Sequence, residues 1–108
     1  MNVRLYVLQR ATAAIMAPLV LAHIVIIFYA TSRGLSAAEI LGRTKGSVGW
    51  GLFYGLFVVA AATHGAIGLR AIASEWTPLK GMQLDTLMWA FGVALAALGL
   101  RAVSAVVL

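Results

Sequence analysis

His23 and His64 are the only histidines in a chain of 108 residues, and each lies well inside a run of apolar sequence. An ionisable side chain at such a position is costly, so it is kept mainly where it binds or conducts something. Neutral imidazole is also the commonest protein ligand to haem iron, which makes axial iron ligation the first chemistry to consider. The sequence holds no cysteine. Disulfides, thiolate-held iron–sulfur clusters and covalently attached haem are therefore excluded within it. Any haem is non-covalent, and any iron–sulfur cluster belongs to a partner.

The elements that position these histidines are long and greasy. Hydrophobic residues make up 63% of the chain and charged residues 10%, a composition of integral membrane proteins rather than small soluble domains. Three apolar segments, about Ala11 to Ala30, Trp50 to Ala73 and Thr86 to Leu108, each approach the twenty residues of a spanning helix. The expected fold is an all-α membrane protein, a single domain over residues 1–108 with three transmembrane helices. The first segment has the basic start of a signal peptide, but its apolar run is too long for one, so it is read as a retained helix. Between the first two segments, a short amphipathic piece around Ser36–Leu41 is expected to lie on the membrane surface. The second connection, Ser74 to Asp85, places Asp85 where it suits the first turn of the third helix.

The net charge of +5 sits at segment ends and in connections. There Lys and Arg meet lipid headgroups, so the basic balance points to membrane and not to nucleic acid. Arg4, Arg10, Arg70 and Lys80 lie on one side, and Arg33, Arg43, Lys45 and Arg101 on the other. The tie gives no orientation from charge alone. Parity does place the N-terminus and the second connection together, bringing Arg10 and Trp76 to the same membrane face.

On the second segment, Phe53, Phe57, Ala60, Ala61, Gly68 and Ala71 recur at helical steps from His64, with Gly65 beside them. A flat cofactor could approach such a face closely. The competing reading is that Gly51, Gly55, Gly65 and Gly68 serve helix–helix packing in lipid. His23 sits among Leu19, Val20, Ile26 and Ile27, with no glycine face. Counted from Arg70 and Arg10 at 1.5 Å per residue, His64 and His23 lie about 9 and 20 Å from the same membrane face. Two haems at different depths, each completed by another chain, fit this better than one iron held by both. A small multidrug-type transporter would be expected to carry a fourth helix and an embedded carboxylate, yet Glu39, Glu75 and Asp85 fall in connections or at helix ends. A haem-free structural or assembly subunit would leave both histidines without a purpose.

Four runs carry a family resemblance: Gln9-Arg10-Ala11-Thr12-Ala13, Phe28-Tyr29-Ala30-Thr31-Ser32, His64-Gly65-Ala66-Ile67-Gly68-Leu69 and Glu75-Trp76-Thr77-Pro78. In order and spacing they resemble the cytochrome b membrane-anchor subunits of succinate dehydrogenase and fumarate reductase, respiratory complex II, most closely the small D-type anchor. The resemblance implies a two-chain helical bundle in which His64 is an axial ligand to haem b and the opposite ligand comes from a companion anchor chain. Trp76 falls where single-haem members have a tyrosine that hydrogen-bonds a quinone carbonyl, and Glu75 matches the acidic residue before it. Arg10 resembles an arginine near the quinone pocket, although the family's usual His-Arg pair is Gln-Arg here.

His23 departs from single-haem D-type subunits and resembles the first-helix histidine of two-haem anchors, about forty residues before the second. That implies two haems b per complex, His64 serving the one nearer the iron–sulfur subunit and His23 the one nearer the opposite face. The implied partners are a flavoprotein subunit, an iron–sulfur subunit, a second membrane-anchor chain and lipid. Electrons would pass between the iron–sulfur subunit and membrane quinone, with no dicarboxylate chemistry in this chain. The implied location is a bacterial inner membrane, multi-pass, with a cytoplasmic N-terminus.

Overall fold

A computed structural model describes residues 2–108. The chain forms four helices: α1 (Val3–Ser32), α2 (Ala37–Thr44), α3 (Val48–Trp76) and α4 (Met82–Val107). Helices α1, α3 and α4 are each long and apolar enough to cross a membrane. In hydrocarbon every backbone N–H and C=O must be satisfied within its segment, which only helices and closed barrels achieve. Among the described residues there is no strand, and the chain is an all-α, multi-pass integral membrane protein.

The helices overrun the apolar segments. Helix α1 begins at Val3, not near Ala11, because Asn2 Oδ1 accepts a hydrogen bond from the Leu5 N–H at 2.9 Å and caps the helix there. Helix α3 continues to Trp76, taking Glu75 and Trp76 into its last turn and not into a connection. Hydrophobicity marks the part of a helix that lies in lipid, whereas its ends are set by capping, which continues into the headgroup layer. At the far end of α1 the Leu35 N–H donates to the Ala30 carbonyl at 3.0 Å, and Gly34 adopts φ +61°. Glycine is suited to that left-handed position, and the pattern is a Schellman stop.

The expected surface piece is α2, started by a reciprocal capping box between Ser36 and Glu39. It is tied to the end of α4: the Thr44 hydroxyl donates to the Val106 carbonyl at 2.6 Å, and the Gly46 N–H to the Val107 carbonyl at 2.8 Å. These bonds satisfy carbonyls that a helix C-terminus leaves free.

Helix α3 lies between α1 and α4 and packs against both. Its partnership with α4 uses small residues. A Cβ at Gly92 would lie 3.1 Å from the Ala66 Cβ, and one at Gly99 would lie 2.5 Å from Val58 Cγ1. Close backbone approach through small residues is how helices associate in lipid, where burial of apolar surface gives no advantage. Most large apolar side chains, among them Leu21, Phe28, Leu52, Trp89 and Leu98, remain exposed on the chain's outside, as expected of a surface that faces lipid.

At the end of the bundle shared by the N-terminus and the α3–α4 connection, Arg70 Nε donates to Asp85 Oδ1 at 2.9 Å. Asp85 is 55% exposed, so the pair is screened. Asp85→Asn is expected to cost less than about 1 kcal/mol. The thermal midpoint of the purified assembly checks this, and a shift of many degrees would contradict it.

Candidate functional site

His64 comes from the middle of α3 and Thr12 from α1, and their side chains meet: Thr12 Oγ1 lies 3.2 Å from His64 Nδ1. Thr12 is the only buried residue of α1, and its hydroxyl also lies 2.9 Å from the Leu8 carbonyl and 3.0 Å from the Gln9 carbonyl. The other imidazole nitrogen, His64 Nε2, has no hydrogen-bond partner among the described residues and is not enclosed. One turn away, Gln9 Oε1 is enclosed and has no partner among the described residues. Gln9 Nε2 lies 3.4 Å from where a Cβ would stand on Gly68.

His23 is bordered by Tyr54 and Phe57 of α3, with ring centroids at 5.7 and 5.4 Å and the rings nearly perpendicular. Trp50 stacks on Tyr54 at 5.7 Å and extends this aromatic cluster. His23 Nδ1 is enclosed without a hydrogen-bond partner among the described residues, and Nε2 is the nitrogen left open. Phe57, which helical spacing places on the His64 face, therefore serves His23.

The depths separate clearly. Thr12 marks the level of His64 on α1, and His23 is eleven residues further along the same helix, about 16 Å at 1.5 Å per residue. One iron cannot take both as axial ligands.

The glycine face expected beside His64 is not an open cradle. A Cβ at Gly65 would meet Leu95 Cδ1 of α4 at 3.3 Å, and Gly68 faces Gln9 of α1. Both glycines join helices. What suits a haem at His64 is the imidazole itself, held at Nδ1 and open at Nε2. Among the described residues no three His, Cys, Asp or Glu side chains cluster, so each histidine offers a single imidazole nitrogen. A cofactor of that kind fits the residues present.

The remaining predicted site residues divide. Glu75 and Trp76 sit side by side in the last turn of α3, and Trp76 is 83% exposed. Arg10 is exposed on α1, its guanidinium 5.9 Å from the Tyr6 ring centroid, with no ion pair to Glu75. The contact of Thr12 with His64 sets Arg10 some ten residues above Trp76 in the antiparallel register, about 15 Å in depth. This chain alone does not bring Arg10 and Trp76 into one pocket.

Spacing missed two features. One is Thr12. The other is a groove of about 330 Å³ between α1, α2 and α3, whose lining includes Tyr29, Arg43, Trp50 and Tyr54. The guanidiniums of Arg33 and Arg43 lie 5.7 and 5.9 Å from the Tyr29 ring centroid. A contact across two helices has no local signature, although the three aromatics and two arginines were each visible.

Compared with known proteins, residues 1–107 match the family model described as the succinate dehydrogenase/fumarate reductase transmembrane subunit. No curated protein and no solved structure matches the chain.

Proposed function

The chain belongs to the succinate dehydrogenase/fumarate reductase transmembrane subunit family, and from that premise we propose that it is a haem-ligating anchor of the complex. In this reading it holds haem b through His64 and His23 and helps move electrons between an iron–sulfur subunit and membrane quinone. The observation that carries it is His64: an imidazole within a spanning helix, engaged at Nδ1 and open at Nε2. Bound haem supplies one-electron relay at a potential tuned by ligand basicity and burial.

This chain's own residues do three things in that scheme. His64 and His23 each present one nitrogen at a different depth, so the chain supports two relay points and not one. The apolar faces of α1, α3 and α4 exclude water around them. At the membrane edge Trp76 presents an indole N–H that can donate to a quinone carbonyl, with the Glu75 carboxylate beside it. Arg10 lies deeper in the same half of the membrane and would line the pocket only together with the companion anchor chain. Partners in the proposal are a flavoprotein, an iron–sulfur subunit and that second anchor, in a bacterial inner membrane with the N-terminus cytoplasmic.

Affinity purification of the tagged chain from membranes tests this. The expected preparation contains flavin, iron–sulfur clusters, non-covalent haem b and succinate–quinone activity. A preparation with the partner subunits and no haem would favour the structural or assembly role. Trp76→Phe keeps the ring and removes the donor; one hydrogen bond corresponds to roughly a three- to tenfold rise in KM for quinone, with haem content unchanged. An unchanged KM would remove Trp76 from the quinone site.

A further inference from the structure

We infer that Thr12 is a positioning residue for His64: its hydroxyl fixes the imidazole as the tautomer protonated at Nδ1, leaving the Nε2 lone pair for a metal. The inference rests on the reading of His64 as a haem ligand. A threonine hydroxyl has one proton and two acceptor sites. Thr12 Oγ1 lies 2.9 and 3.0 Å from the Leu8 and Gln9 carbonyl oxygens. Oxygen pairs at those distances with no proton between them would set lone pair against lone pair, so the hydroxyl proton is directed to the backbone, as is common for threonine in helices. Toward His64 Nδ1, at 3.2 Å, the oxygen can then only accept, and the imidazole must donate.

Neutral imidazole carries one proton, so Nε2 is left with the lone pair. That nitrogen is also the one without a partner and not enclosed. Packing alone does not account for a hydroxyl here. Thr12 is the only buried residue of α1, and valine has nearly the same shape. The backbone bonds already satisfy the hydroxyl, so the approach to His64 is not needed to relieve it. A hydrogen bond from the second ring nitrogen of a metal-bound histidine fixes ring orientation and raises ligand basicity, and its loss typically changes affinity 10- to 100-fold.

The test uses the intact complex with Thr12→Val, Thr12→Ser and the wild type, read by potentiometric titration of the haem spectrum and by the g-values of ferric haem. In Thr12→Val the less basic ligand should favour ferric iron about tenfold less, an upward shift of about 59 mV in one one-electron component. Its g-values should change, the component dependent on His23 should stay put, and Thr12→Ser should restore both readouts. If Thr12→Val does not assemble, Thr12→Ala removes the same acceptor with less bulk and carries the same expectation. Haem bound with unchanged potential and g-values, or a serine variant that behaves as the valine one, overturns the role of Thr12 while leaving His64 a ligand. Absence of haem from the wild type, by contrast, overturns the reading of His64 itself.

Discussion

Replacing His64 with alanine should remove one b-type haem from the purified complex while the complex remains assembled. Among the described residues His64 has no ion pair, and its single hydrogen bond is to Thr12. The substitution therefore leaves little polar group stranded, since Thr12 keeps its backbone partners. What is lost is the one imidazole at that depth, because the other histidine, His23, lies eleven residues further along α1 than Thr12. That displacement is about 16 Å. Haem per flavin, measured as the pyridine haemochrome, should fall by about half if each histidine serves its own haem. Full retention of haem in His64→Ala would make His64 a packing residue.

The second large effect concerns the contact that holds the site's scaffold together. Gly99→Ala should weaken the α3–α4 pairing, because the new Cβ would lie 2.5 Å from Val58 Cγ1, 3.0 Å from Cγ2 and 3.3 Å from Cβ. Val58 is short and β-branched, so it has no flexible end to swing aside. Overpacking of this kind costs about 1–3 kcal/mol, expected as a lower thermal midpoint of the complex. Gly55→Ala is the control, since nothing stands within 4 Å of its would-be Cβ. Val58→Ala combined with Gly99→Ala should recover much of the loss, and the double-mutant cycle measures the coupling directly. Equal midpoints for Gly99→Ala and Gly55→Ala would show that the close approach does not matter to assembly.

Much of the architecture was legible because apolar runs of about twenty residues permit little else in a bilayer. The ends were not, since α1 is started by Asn2 and α3 is stopped by the turn after Trp76, both outside the greasy part. Helical periodicity grouped Gly65, Gly68 and Phe57 with His64, but it could not say which neighbour each would meet. Gly65 meets α4, Gly68 meets α1, and Phe57 meets His23 because seven residues along α3 carry it about 10 Å from His64. Thr12 was visible only as part of a family-like run; its partner is 52 residues away, and no local pattern encodes such a contact. The two histidines stood out because ionisable groups are rare in spans. Their unequal surroundings, a hydroxyl for one Nδ1 and none for the other, needed the packed helices.

In the proposed function this one chain supports two haems at separate depths through separate histidines. The most direct measurement is a potentiometric titration of the reduced-minus-oxidised b-type spectrum, comparing the wild-type complex with His23→Ala. Two one-electron components in the wild type, of which one disappears in His23→Ala, is the predicted result. A single wild-type component that persists unchanged in His23→Ala would contradict the claim and leave His23 as a packing partner of Tyr54 and Phe57.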